Sequence, residues 1–189
     1  AWQSRRAYPL VVTQGDGNLG VKGKNFEMLF SIAGAGPASL KVNGTEWLWR
    51  APRPAFWRAS TDNDRGCGFP LRAAAWMAAD VFVTYNGMKV LEAGPDCVKV
   101  QFQFGIPTVP GASAELVYTV EAQDALRVDA VYHGVAGAPE LPCFGVKFET
   151  FGPVPRTVWT GLSGETYPDR YKGGVFGCHE ETPHVEPHL

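Results

Sequence analysis

The chain has 189 residues, 17 Lys and Arg against 19 Asp and Glu for a formal charge of −2, and 45% hydrophobic residues. That apolar share builds one sizeable core, so a single domain over residues 1–189 is expected. No stretch gathers lysine and arginine as a phosphate-tracking surface would, which argues against nucleic acid as a partner. No apolar run approaches the roughly 18–20 residues that span a bilayer, and the opening "AWQSRRAYPLVV" lacks the apolar centre of a signal peptide. A cytoplasmic chain without a membrane partner is expected.

The 22 glycines and 15 prolines recur along the chain instead of clustering, which is the rhythm of many strands joined by turns. In chain order, "LGVKG", "NFEMLFS", "ASLKVNG" and "TEWLWR" read as strands. Asn43-Gly44 supplies a tight turn between the last two, and this turn reading is preferred to the glycosylation sequon that Thr45 completes. Pro52 and Pro54 then remove backbone donors and are expected to take the chain out of the sheet, leaving the polar run that follows on a loop. "LRAAAWMAA", residues 71–79, is the one predicted helix, about two turns long. "DVFVTYNG" and "MKVLEA" read as two strands joined by a turn at Asn86-Gly87.

The clearest alternation lies in "CVKVQFQFG", where Val98, Val100, Phe102 and Phe104 share one face and Lys99, Gln101 and Gln103 the other. "AELVYTV" and "ALRVDAVYHG" form a hairpin through "EAQD", with Leu116, Tyr118 and Val120 facing one way in the first strand and Leu126, Val128, Ala130 and Tyr132 in the second. "CFGVKFETF" and "RTVWTGL" add two more strands, and from "YPDRYKGG" onward alternation stops. About eleven short strands and one helix define an all-β fold, a large antiparallel sandwich. Cys67, Cys97, Cys143 and Cys178 are far apart with no C-x-x-C pair, so they are read as reduced thiols.

The segment "FWRASTDNDRG", residues 56–66, concentrates Arg58, Asp62, Asp64 and Arg65 just after the prolines. Asp62, Asn63 and Asp64 can accept backbone amides, and Arg58 can fork onto a carboxylate, which would make a rigid, self-bonded loop. The following "GCGFP" places Gly66 and Gly68 on either side of Cys67, so the same cluster can serve as the anchor of a movable flap, with Trp57 and Phe69 as faces for stacking on a sugar.

These residues resemble the small-chain or C-terminal β-sandwich domain of the β-galactosidases of glycoside hydrolase family 2. The signature close to "P-x-x-W-R-A-P-T-D-N-D-x-G" is carried by Trp57, Arg58, Ala59, Thr61, Asp62, Asn63, Asp64 and Gly66, with Ser60 for the usual proline. A second, close to "G-x-G-P-x-E-N-Y-P-D-R", is carried by Gly161, Glu165, Tyr167, Pro168, Asp169 and Arg170, with Thr166 for asparagine and one residue fewer after Gly161. The resemblance implies a supersandwich like that of galactose mutarotase, in a chain that ends before the family's last strands and lacks their active-site tryptophan. It implies that both catalytic glutamates, held roughly 5–5.5 Å apart in a retaining enzyme, belong to a separate barrel domain or large subunit. A barrel needs about 250 residues of alternating strand and helix, and none is present. No catalytic residue, metal or cofactor is therefore placed in this chain, and any divalent metal belongs with the barrel.

What the resemblance assigns here is an active-site flap and its anchor: Trp57, Arg58, Asp62, Asn63, Asp64, Gly66, Cys67, Gly68 and Phe69, with the flap running on to Leu71 or Arg72. Glu165, Tyr167, Asp169 and Arg170 are assigned a structural role. The implied partners are the barrel or large subunit, a β-galactoside such as lactose, and further copies in an oligomeric enzyme.

Two other classes stand beside this one. An aldose 1-epimerase would need a histidine and a carboxylate on one sandwich, and His133 is the test case, although it shares its strand face with Arg127, Asp129 and Val131. A noncatalytic carbohydrate-binding or assembly module would display Trp2, Trp47, Trp49 or Trp76. The tail "CHEETPHVEPH" gathers Cys178, His179, His184 and His188 without zinc-site spacing.

Overall fold

The computed structural model describes residues 8–152, 156–162 and 174–182. The chain divides into two compact units, Ala1–Phe151 and Gly152–Leu189. The first contains two antiparallel meanders. β1 (Val11–Gln14), β2 (Asn18–Lys22), β3 (Phe26–Ser31), β4 (Gly36–Val42) and β5 (Thr45–Glu46) form one sheet in sequence order, and β7 (Thr84–Ala93), β8 (Cys97–Gly105), β9 (Ser113–Glu121) and β10 (Ala125–His133) form the other. Period-two alternation gives each sheet one apolar face, and the two faces meet. Leu19, Val21, Met28 and Phe30 from the first share a core with Val98, Val100, Phe102, Phe104, Leu116, Tyr118 and Val120 from the second. Phe30 is the seam, 6.2 Å from the Phe102 ring and 5.8 Å from Tyr118. Each such fully buried side chain is worth roughly 1.5–3 kcal/mol. The all-β antiparallel sandwich expected from the sequence is the observed fold, and the 113–133 hairpin is the β9–β10 pair in unbroken register.

Asn43 (φ 50°) and Gly44 (φ 81°) both adopt the positive φ of a primed hairpin turn, as expected, and join β4 to β5. "TEWLWR", however, is not one strand. The ladder breaks at Trp47, and β6 (Leu48–Ala55) leaves for a separate two-stranded sheet with β11 (Gly145–Thr150). Glu46 makes the break possible. Its carboxylate accepts the backbone N–H groups of Leu40 (2.9 Å), Trp47 (3.1 Å) and Leu48 (3.1 Å) and the Ser39 hydroxyl, so the switch leaves these donors satisfied.

The expectation that Pro52 and Pro54 would eject the chain is overturned, because both lie inside β6. Among the described residues β6 is paired on one side only, and β11 is irregular opposite Ala51–Pro52, so few donors are required of it. The Asn86-Gly87 turn is also corrected. β7 is continuous, and Gly87 (φ 153°) sits at a register shift, a bulge in place of a hairpin. The helical region is larger than residues 71–79: α1 (Asp62–Gly66), α2 (Phe69–Arg72) and α3 (Ala74–Phe82) follow one another. Pro70 suits the first turn of α2, and α3 runs on through Asp80, Val81 and Phe82 before Val83 turns extended.

In the second unit β12 (Thr157–Leu162) pairs with β13 (Phe176–Glu181), a strand not anticipated from the sequence. All four cysteines are free thiols, in agreement with the sequence reading. Among the described residues no helix is long and apolar enough to cross a membrane.

Candidate functional site: the capped turn of residues 56–72

Of the polar run expected on a loop, residues 56–61 are irregular as expected, while Asp62–Gly66 form the short helix α1. The five residues of α1 bury none of their own side chains, so packing does not explain it; capping does. Thr61 is the N-cap, its Oγ1 accepting the Asp64 amide at 3.1 Å, while Asp64 Oδ2 accepts the Thr61 amide at 2.8 Å. This reciprocal pair is a capping box, with Asp64 filling the place usually held by Glu or Gln. Arg58 closes the structure from the preceding strand end. Its Nη1 donates to Asp64 Oδ2 at 2.6 Å and to the Ala59 carbonyl at 3.0 Å, and Nη2 reaches Asp64 Oδ1 at 3.3 Å. The fork from Arg58, joined by the Thr61 amide, holds the Asp64 carboxyl down at about 2.

The other charges of the cluster are peripheral. The Asp62 side chain is 98% exposed and among the described residues meets only Arg65, at 3.5 Å, while Arg65 also donates to the Ser60 carbonyl at 3.3 Å. The Asn63 side chain points to the exposed side, and its backbone carbonyl accepts the Cys67 amide at 3.0 Å. Gly66 ends α1. Cys67 is exposed, its Sγ 3.5 Å from the Asp64 carbonyl. Gly68, left-handed at φ 69°, separates α1 from α2. Arg72 reaches back from α2 to the Cys67 carbonyl, which ties the turn across its open side.

Beneath the turn lies an aromatic base. Phe56 is fully buried, 5.7 Å from Trp76, 5.8 Å from Phe144 and 6.3 Å from Tyr132, and its amide donates to Asp80 Oδ1 at 2.6 Å. Trp76 Nε1 donates to the Pro139 carbonyl at 3.0 Å. Trp57 is half-buried against the same core. Phe69, expected as a stacking face, is 8% exposed and sits in the core, so its ring anchors α2 instead.

Trp57, Arg58 and Asp64 are thus brought together with the turn at Gly66–Phe69, whereas Asp62 and Asn63 stay outside. Thr61, Phe56 and Asp80 were missed as anchors. For Thr61 the readable signal was the T-D-N-D spacing of a capping box; the other two carry none. Glu165, Tyr167, Asp169 and Arg170 lie outside the described residues, as do Trp2, His184 and His188. Of the remaining tryptophans proposed for display, Trp76 is core, while Trp47 and Trp49 are 52% and 59% exposed, the latter edge-on to Phe151 at 5.0 Å. Among the described residues no group of three or more His, Cys, Asp or Glu is placed to hold a metal ion.

Comparison with known proteins gives the lineage. Residues 22–187 match the family model described as "Beta galactosidase small chain". The chain is 43% identical to the "Beta-galactosidase small subunit" of Latilactobacillus sakei over 92% of its own length and 60% of that protein. It is 35% identical to a "Beta-galactosidase" of Clostridium acetobutylicum over 90% of its length but 19% of that protein, and 34% identical to one of Streptococcus thermophilus over 91% and 17%. The chain therefore spans about three-fifths of the small subunit and under a fifth of the long relatives, and it belongs to the β-galactosidase small-chain family.

Proposed function

We propose that this chain is part of a retaining β-galactosidase of glycoside hydrolase family 2, cleaving terminal β-D-galactosides such as lactose. Its task is to complete and cap a site whose two catalytic glutamates stand on a barrel domain or large subunit. The supersandwich kinship with galactose mutarotase, the cytoplasmic location and the oligomeric assembly belong to the same reading, and no cofactor of the enzyme is assigned to residues of this chain.

The observation that carries it is the contrast inside residues 56–72. A helix turn locked by Arg58, Thr61 and Asp64 stands on a buried aromatic base and carries at its end a Gly66–Cys67–Gly68 turn exposed at Gly66 and Cys67. A rigid anchor with a glycine-flanked tip is what a flap beside a sugar site requires. The chain contributes position and exclusion of water, while proton transfer and nucleophilic attack fall to the partner's carboxylates.

The test is reconstitution. The purified chain alone is expected to leave a chromogenic galactoside intact, and mixing with the catalytic large subunit is expected to give hydrolysis. Gly66→Ala, at a position where a methyl meets nothing within 4 Å, is expected to alter kcat or KM in the assembled enzyme. Hydrolysis by the chain alone would overturn the division of labour, and unchanged kinetics for Gly66→Ala would remove the flap. The half-exposed Trp47 and Trp49 favour a second reading, a noncatalytic carbohydrate-binding or assembly module; galactose binding by the isolated chain that Trp49→Ala abolishes, in calorimetry, would support it.

A further inference from the structure

The outer face of the β7–β10 sheet, opposite the core, carries a second polar cluster remote in sequence from the capped turn. Alternation sends Phe102, Phe104, Leu116 and Tyr132 inward and Gln101, Gln103, Ser113, Glu115 and His133 outward. Register then aligns them: Gln103 lies opposite Glu115, and Ser113 opposite His133. With Asn86 from β7 they line a groove of about 190 Å³. Glu115 is its centre, Oε2 accepting from Gln101 Nε2 at 2.6 Å and Oε1 standing 3.3 Å from His133 Nε2. Its side chain is 22% exposed, so it is held but still reachable.

The chemistry of the wall selects the ligand. One carboxylate repels anions. Among the described residues no third His, Cys, Asp or Glu joins the pair to make a dication site. The outward groups are amides, a hydroxyl, an imidazole and a carboxylate, which gives an apolar ligand nothing to bury against. What they match is a neutral molecule whose groups both donate and accept, because a carboxylate offers about four lone-pair sites and each amide offers both roles. The groove is smaller than the roughly 300–1,000 Å³ of drug-sized sites, which limits the ligand to one ring.

We propose that the groove lined by Asn86, Gln103, Ser113, Glu115 and His133 binds a single neutral hexose ring, with the Glu115 carboxylate accepting from vicinal hydroxyls. This site is distinct from the capped turn and does not depend on the flap reading. Titration of the ¹⁵N-labelled full chain with D-galactose tests it by NMR. The expected result is saturable movement of the Asn86 and Gln103 side-chain amide signals and of the His133 ring signals, with a millimolar Kd.

Glu115→Gln, which keeps the shape and removes the anionic acceptor, is expected to weaken binding about tenfold. His133→Phe, at a half-exposed position, is expected to weaken it while leaving the other amide signals in place. The proposal is overturned if galactose moves none of these signals, if they move only with magnesium chloride or inorganic phosphate, if the saturable shifts fall on Trp47 and Trp49 instead, or if both variants titrate like the parent.

Discussion

Asp64 does three things with one carboxylate: it caps Thr61, fixes Arg58 and thereby sets where Gly66 emerges. Removing the hydroxyl half of the capping box by Thr61→Ala is expected to cost about 1 kcal/mol in urea unfolding at neutral pH. The acidic side has a definite sign. A carboxyl whose folded value is depressed to about 2 stabilises the fold fully above its unfolded value near 4, and that contribution drains away as pH falls through this window. Asp64→Asn should therefore be less stable than the parent at neutral pH and converge on it between about pH 4 and pH 2, read from paired denaturant midpoints. The two glycines separate as well. Gly68 is left-handed, so Gly68→Ala is expected to cost about 1–2 kcal/mol, whereas Gly66→Ala falls at an open position and is expected to stay within about 1 kcal/mol of the parent, on the stable side if anything. The Gly66 variant consequently tests the proposed flap without a folding penalty, and thermal melts of the two variants check the contrast.

At the scale of elements, α3 is what seats the turn, because Trp76 packs against both Phe56 and Tyr132. Trp76→Ala is expected to cost about 3–5 kcal/mol, and Met77→Ala, one position along and half-exposed, within about 0.5 kcal/mol, by chemical denaturation. The sandwich was legible from the sequence wherever a strand has one wet and one dry face, as Val98 to Phe104 do. It was not legible where a face is missing. β13 alternates only between exposed and half-exposed residues and buries none, and α1 has no apolar stripe, so only its cap announces it. Pro52 and Pro54 misled because proline forbids a donor, not a strand, and sequence does not say which edge goes unpaired. Asn86-Gly87 misled because glycine also serves a bulge: Gly87 takes φ 153° at a register shift, not the left-handed φ that Asn43 and Gly44 take in their turn. Of the site, Arg58 and Asp64 could be nominated from residue type, but the burial of Phe69 depends on a tertiary socket that no local pattern encodes.

For the whole first unit, connectivity matters more than composition. Each meander joins strands that are neighbours in the chain, while β6 and β11 pair residues about a hundred positions apart, Arg50 with Glu149 among them. Closing that span costs more chain entropy than any hairpin in either sheet, so the two-stranded ribbon is expected to be the last ladder of this unit to zip. In stopped-flow refolding, Val146→Ala is expected to act chiefly by speeding unfolding, and Phe102→Leu in the second meander by slowing folding. The ribbon begins eight residues before the aromatic base at Phe56, so the ground under the capped turn is expected to set late in assembly. A nascent or partly denatured molecule would accordingly own both of its sheets long before it owned a settled capped turn.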